Sequence, residues 1–101
     1  MRVFVSQPMR GYSEAEIESA REEALQTLAA YLGVPRDELS DIPKASPERV
    51  SSLTPVECLG ASVKSMARAD YVVFAKGWDD ARGCRVEHLV AVEYGIPRLE
   101  M

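Results

Sequence analysis

The side chains able to do chemistry gather in two short stretches of the chain. One is Gln7-Pro8-Met9-Arg10-Gly11; the other is Trp78-Asp79-Asp80-Ala81-Arg82-Gly83, with Glu87 and His88 about one helical turn further on. Carboxylates of this kind act as nucleophile, base or acid. Guanidinium forks such as Arg10 and Arg82 grip phosphate or carboxylate, and a tryptophan in a loop offers a platform for a base or sugar. Each type also has an ordinary use. A glutamate near a helix N-terminus is favoured by the macrodipole, a loop tryptophan is an anchor, and loop arginines are solvated charges. Glu87 and His88 are neighbours on a predicted helix, point about 100° apart and cannot form a dyad. What lifts these residues above the ordinary reading is that both stretches connect a predicted strand to a predicted helix.

Those elements follow from pattern. Arg2 to Ser6 is a short run of β-branched and aromatic residues and reads as a strand, broken by Pro8 and Gly11. Ser13 and Glu16 form a capping box. Ile17, Ala20, Ala24, Leu28, Tyr31 and Leu32 then recur at helical spacing until Gly33 stops the helix. Residues 34 to 53 carry Pro35, Pro43 and Pro47 and four serines, which disfavours a long element; a short edge strand or helical turn near Glu38 to Ile42 is the most they allow. Thr54-Pro55-Val56-Glu57 is a second capping box with proline at the first helical position, and Val56, Leu59, Val63, Met66 and Ala67 supply the expected buried stripe. Tyr71 to Ala75 is a continuous apolar run, the mark of a strand covered on both faces. A third helix is expected from about Cys84 to Tyr94, with Val86, Leu89, Val90 and Tyr94 inward, then Gly95 and a last short strand at Ile96 to Leu99.

Alternating strand and helix predicts one α/β domain over residues 1–101: a small flavodoxin-like or Rossmann-like three-layer domain with a short parallel sheet of three or four strands and about three helices. In such a sheet ligands bind beyond the carboxyl ends of the strands, so the two reactive loops are expected to meet at one crevice. Composition narrows what enters it. The chain has 101 residues, 47% hydrophobic, with 12 Lys+Arg against 16 Asp+Glu and a net charge of −4. That balance argues against a nucleic-acid polymer as partner but leaves room for a small anion at a local arginine or helix N-terminus. One histidine and two cysteines cannot build the usual four-ligand zinc sites, and no cofactor is expected. The pair Gly77 and Gly83 does not make G-x-G-x-x-G, and no G-K-[ST] is present. The opening MRVFVSQPMRG has too short an apolar run for a signal peptide, and no stretch is long enough for a membrane span. With those features absent, free thiols in a cytoplasmic protein are expected.

Three strings carry a family resemblance: F-V-S-Q-P-M-R-G at the N-terminus, L-G-A-S-V-K-S-M-A-R-A-D-Y-V-V-F in the middle, and G-W-D-D-A-R-G-C-R-V-E-H-L-V-A-V-E-Y-G towards the end. Together they resemble a family of small bacterial and phage proteins with a domain of unknown function, grouped with the nucleoside 2-deoxyribosyltransferase-like fold. The resemblance covers nearly the whole chain except residues 34 to 53. It implies a pocket for a nucleoside or nucleotide and places Glu87 where those transferases carry the glutamate that attacks the anomeric carbon. Two aspartates that assist there are not matched; Ala81 and Ser62 stand in their positions. The expectation is an enzyme acting on the N-glycosidic bond, as hydrolase or transferase. Glu87 would be nucleophile or base, and Asp79 or Asp80 would assist proton transfer. Arg10 and Arg82 would hold a phosphate and Trp78 would close over the sugar or base, with Gln7, Pro8, Met9, Gly11, Gly83 and His88 also lining the site. The alternatives are a non-catalytic nucleotide-binding module and an interaction protein of the same fold. A domain this small closes a pocket poorly, so a homo-oligomer (a dimer or larger) is expected.

Overall fold

In a computed structural model, which describes residues 1–42 and 52–101, four strands form one parallel sheet in the order β2-β1-β3-β4. These are β1 (Arg2–Ser6), β2 (Ser40–Ile42), β3 (Tyr71–Phe74) and β4 (Arg98–Glu100). Helices α1 (Glu14–Leu32), α2 (Pro55–Met66) and α3 (Arg82–Glu93) connect them in turn. No helix among the described residues is long and apolar enough to cross a membrane.

Strand periodicity divides the sheet's residues between two cores. Val3, Val5, Val73 and Ala75 pack with Ala24, Leu25, Leu28 and Ala29 of α1, whereas Phe4, Val72 and Phe74 pack with Met66 of α2 and Ala91 of α3. The domain is therefore three layers, with α1 alone on one face. Phe4, Leu25, Leu28 and Phe74 are each fully buried, and each stabilises the fold by roughly 1.5–3 kcal/mol.

Both expected capping boxes form: Ser13 with Glu16, and Thr54 with Glu57. In each, the glutamate accepts from the cap's backbone N–H at 2.8–2.9 Å, which holds its carboxyl below the ordinary range. Gly33 closes α1 with a left-handed φ of 72°. The ambiguous segment resolves into a 3-10 turn at Arg36–Glu38 followed by the short edge strand β2; Pro43 and Pro47 lie outside the described residues.

Two expected helix faces are corrected. On α2 the buried row is Cys58, Ser62 and Met66, while Val56 is 75% exposed. On α3 it is Cys84, Glu87 and Ala91, while Val86, Leu89 and Tyr94 are exposed and Val90 is only partly covered. Met66 is buried and Val90 packs against the core as expected, but elsewhere hydrophobicity does not mark the inner face: Cys58, Ser62, Cys84 and Glu87 face the sheet while Val56, Val86 and Leu89 stand outside. On α1, similarly, Leu25 and Ala29 are inside and Tyr31 is 65% exposed.

Candidate functional site

The last ladder bond between the central strands runs from Ala75 N to Ser6 O at 2.8 Å. Beyond it the chains part, one into Gln7–Tyr12 and the other into the loop before α3, at the switch in strand order where such sheets open a ligand crevice. A cleft of about 1260 Å³ occupies this position. Its walls come from the β1 loop (Gln7, Pro8, Met9, Arg10, Tyr12), the start of α2 (Pro55 to Ser62) and the segment Asp80 to Glu87. The two loops touch: Gly77 adopts φ 83°, and a Cβ there would meet Pro8 Cγ at 3.5 Å. The distant segments converge as the strand-to-helix pattern predicts.

Glu87 is the cleft's central acid. It lines the wall yet is only 1% exposed, and the Ser6 hydroxyl donates to its Oε1 at 2.7 Å. Ser6 is fully buried and occupies the last position of β1, on the face that α3 covers. A carboxylate so placed is fixed in orientation by a strand, not by a mobile loop. Ser6 was not among the residues singled out from sequence, although a serine ending an otherwise apolar buried strand is a readable signal. Ser62 is similar: it is 2% exposed, lines the cleft, and its Oγ has no hydrogen-bond partner among the described residues. Burying a hydroxyl without a partner costs about 1–3 kcal/mol, a cost that a bound ligand can offset.

The α3 N-terminus forms the cleft's rim. Ala81 at the cap offers no side-chain acceptor, and the first turn carries no acidic residue, unlike the boxed starts of α1 and α2. Arg82 and Arg85 belong to the first turn of α3, and Arg10 lines the same cleft from the β1 loop. Of the two candidate aspartates, Asp80 lines the cleft and Asp79 does not. Pro8, Met9 and Gly83 are on the wall, and Gly11 falls between the lining residues Arg10 and Tyr12. Gln7 is on the wall too, but its amide is committed: Nε2 donates to Ile17 O at 3.0 Å and Oε1 accepts from Arg21 Nε at 3.2 Å. Arg21 in turn pairs with Asp41 at 3.7 Å, tying the loop to α1 and β2.

Trp78 and His88 lie elsewhere. With Asp79, Arg85, Leu89 and Val92 they border a separate shallow depression. The Trp78 ring packs on Phe74 and His88, with centroids 5.5 and 4.3 Å away, and its Nε1 donates to Met101 O at 3.2 Å. His88 Nε2 is 2.7 Å from Glu100 Oε2. That contact, with Arg98 behind it, holds the Glu100 carboxyl below its ordinary range. Trp78 is thus held as an anchor across the end of the sheet. No group of three or more His, Cys, Asp or Glu among the described residues is arranged to hold a metal.

Fold and cleft together define a small three-layer α/β domain with a buried acid at the switch point of a parallel sheet. No family model matches the chain, and no match appears among curated proteins or solved structures.

Proposed function

We propose that the protein cleaves or exchanges the N-glycosidic bond of a nucleoside or nucleotide, with Glu87 as the working carboxylate. The observation that carries this reading is a nearly inaccessible glutamate, oriented by Ser6, in the wall of a cleft built from both reactive loops. A Glu87 oxygen attacks the anomeric carbon as the carbon–nitrogen bond breaks, and the base departs with the bonding pair and takes a proton relayed through Asp80 or water. Water then opens the glycosyl ester, or a second base displaces it, so one hard substitution becomes two easier ones. Where Glu87 instead acts as general base, it takes the proton of the attacking water. Arg10, Arg82 and the uncapped start of α3 favour a phosphorylated sugar, since helix N-termini and guanidinium forks both suit phosphate. The reading also rests on the resemblance carried by S-Q-P-M and W-x-x-x-R-G-C-x-x-E-H. The test is incubation with a panel of nucleosides and 5′-nucleotides, followed by chromatography for free base. Base release supports the reading, and none from any substrate at high protein concentration removes it.

Ala81 and Ser62 favour a second reading, a module that holds such a ligand without turnover. Both stand on the cleft wall where the resembled transferases place carboxylates. A ligand that binds only the native state raises Tm by mass action, so stabilisation by a nucleotide without product would select this alternative.

A further inference from the structure

Helix α3 carries three of its large apolar side chains on the wrong side for a monomer, with only Val90 packed against the core. Val86, Leu89 and Val92 are 37%, 57% and 43% exposed, while Cys84, Glu87 and Ala91 face the sheet. At about 100° per residue, Arg85, Val86, Val92 and Glu93 all fall within about 60° of Leu89 around the helix axis. The outward face is therefore one stripe, and its order is symmetric about Leu89: Val86 and Val92 stand three residues either side, Arg85 and Glu93 four. Arg85 and Glu93 are both exposed.

From this symmetry we infer that the outward face of α3 docks a second copy of the chain, with the two α3 helices antiparallel across a two-fold axis near Leu89. An isologous contact pairs residue i with j and j with i. In this register Leu89 meets the partner's Leu89, Val86 meets the partner's Val92, and Arg85 meets the partner's Glu93, twice over. The charges strengthen the case because the helix dipole does not favour them, although Arg85 Nη1 also donates to Asp79 O at 3.2 Å within the chain. A basic residue in the first turn and an acidic one in the last both oppose the macrodipole, yet α3 has basic residues only at its start and Glu93 at its end. Across an antiparallel pair the same arrangement is attractive. Arg85 and Val86 also line the cleft, so the docked copy becomes part of the cleft's rim. The inference stands apart from the chemistry proposed for Glu87, because its test reads mass and not turnover.

Light scattering or sedimentation over a range of concentrations should give a mass near twice the 11.2 kDa of the chain. Leu89→Glu should return the single-chain mass with the circular dichroism spectrum kept. Arg85→Glu and Glu93→Arg should each raise the dimer Kd by about tenfold or more by setting like charges together. Each also improves the local dipole fit; because Arg85→Glu removes the hydrogen bond to Asp79 O, the circular dichroism spectrum and Tm of both variants must match the parent's for weaker dimerisation to count. The double variant should recover to within a few fold of the parent. A single-chain mass at every concentration overturns the inference, whether the face then serves another protein or none. A dimer indifferent to Leu89→Glu overturns it as well, and a double variant weaker than either single overturns the antiparallel register.

Discussion

The two faces of the sheet are built to different rules. Against α1 the strands' contact is apolar, with Val3, Val5, Leu25, Leu28 and Ala29 filling it, and the buried Gln7 amide just beyond β1 is paired at both ends with Ile17 O and Arg21 of α1. Against α2 and α3 the apolar cluster around Phe4, Met66 and Phe74 gives way, at the carboxyl end of the strands, to Ser6, Ser62 and Glu87. Polar groups in a buried interface cost stability unless every partner is supplied. Both faces carry an apolar core, but only the α2/α3 face leaves a buried hydroxyl, Ser62, without a partner among the described residues beside a buried acid at the cleft.

Mutations should separate the two. The largest effect is expected from Glu87→Gln, which keeps size and burial but removes the carboxylate: base release should fall by about two orders of magnitude or more, with Tm little changed. Leu28→Ala should do the reverse. It leaves a cavity under α1 and costs about 2–5 kcal/mol, read as a large Tm drop with activity per folded molecule retained. Comparable losses of activity in both variants would erase the distinction between the faces.

Smaller effects sharpen it. Thr54→Ala removes the cap of α2, which helps wall the cleft, and should cost about 1 kcal/mol in a denaturant titration. Glu100 sets the smallest effect. Its carboxyl is held below the ordinary 4.5 by His88 first and Arg98 second, so its contribution to stability is present above that value and lost as pH falls through the lowered one. Melting curves of the parent and Glu100→Gln should differ modestly above about pH 4.5 and converge only once pH has fallen through the lowered value. The effect stays modest because the Glu100 side chain is 41% exposed and exposed pairs are screened.

Much of this arrangement is legible in the residues. Ser13 with Glu16, and Thr54 with Glu57, announce two helix starts, and the apolar run from Tyr71 announces a buried parallel strand. The strand-to-helix position of Gln7 to Tyr12 and of the loop before α3 announces where a cleft opens. Which way α3 faces is not legible from hydrophobicity, because Val86, Leu89 and Val92 lie outward and its buried row includes a glutamate. Trp78 misleads for a related reason. A loop aromatic reads as a ligand platform, but Phe74, His88 and Met101 hold it away from the cleft. Ser6 is legible as a serine ending an apolar strand and Ser62 by its place in the resemblance, but that both are buried on the cleft's side of the sheet follows only once strand parity and the i, i+4 row of α2 are fixed by the fold.

Glu87 is either a working acid, as proposed, or a buried structural one. The most direct measurement compares free-base release from a phosphorylated deoxynucleoside panel by the parent and by Glu87→Gln, with equal folding verified by Tm. Release by the parent that collapses in the variant is the predicted result; release that survives the substitution would contradict it.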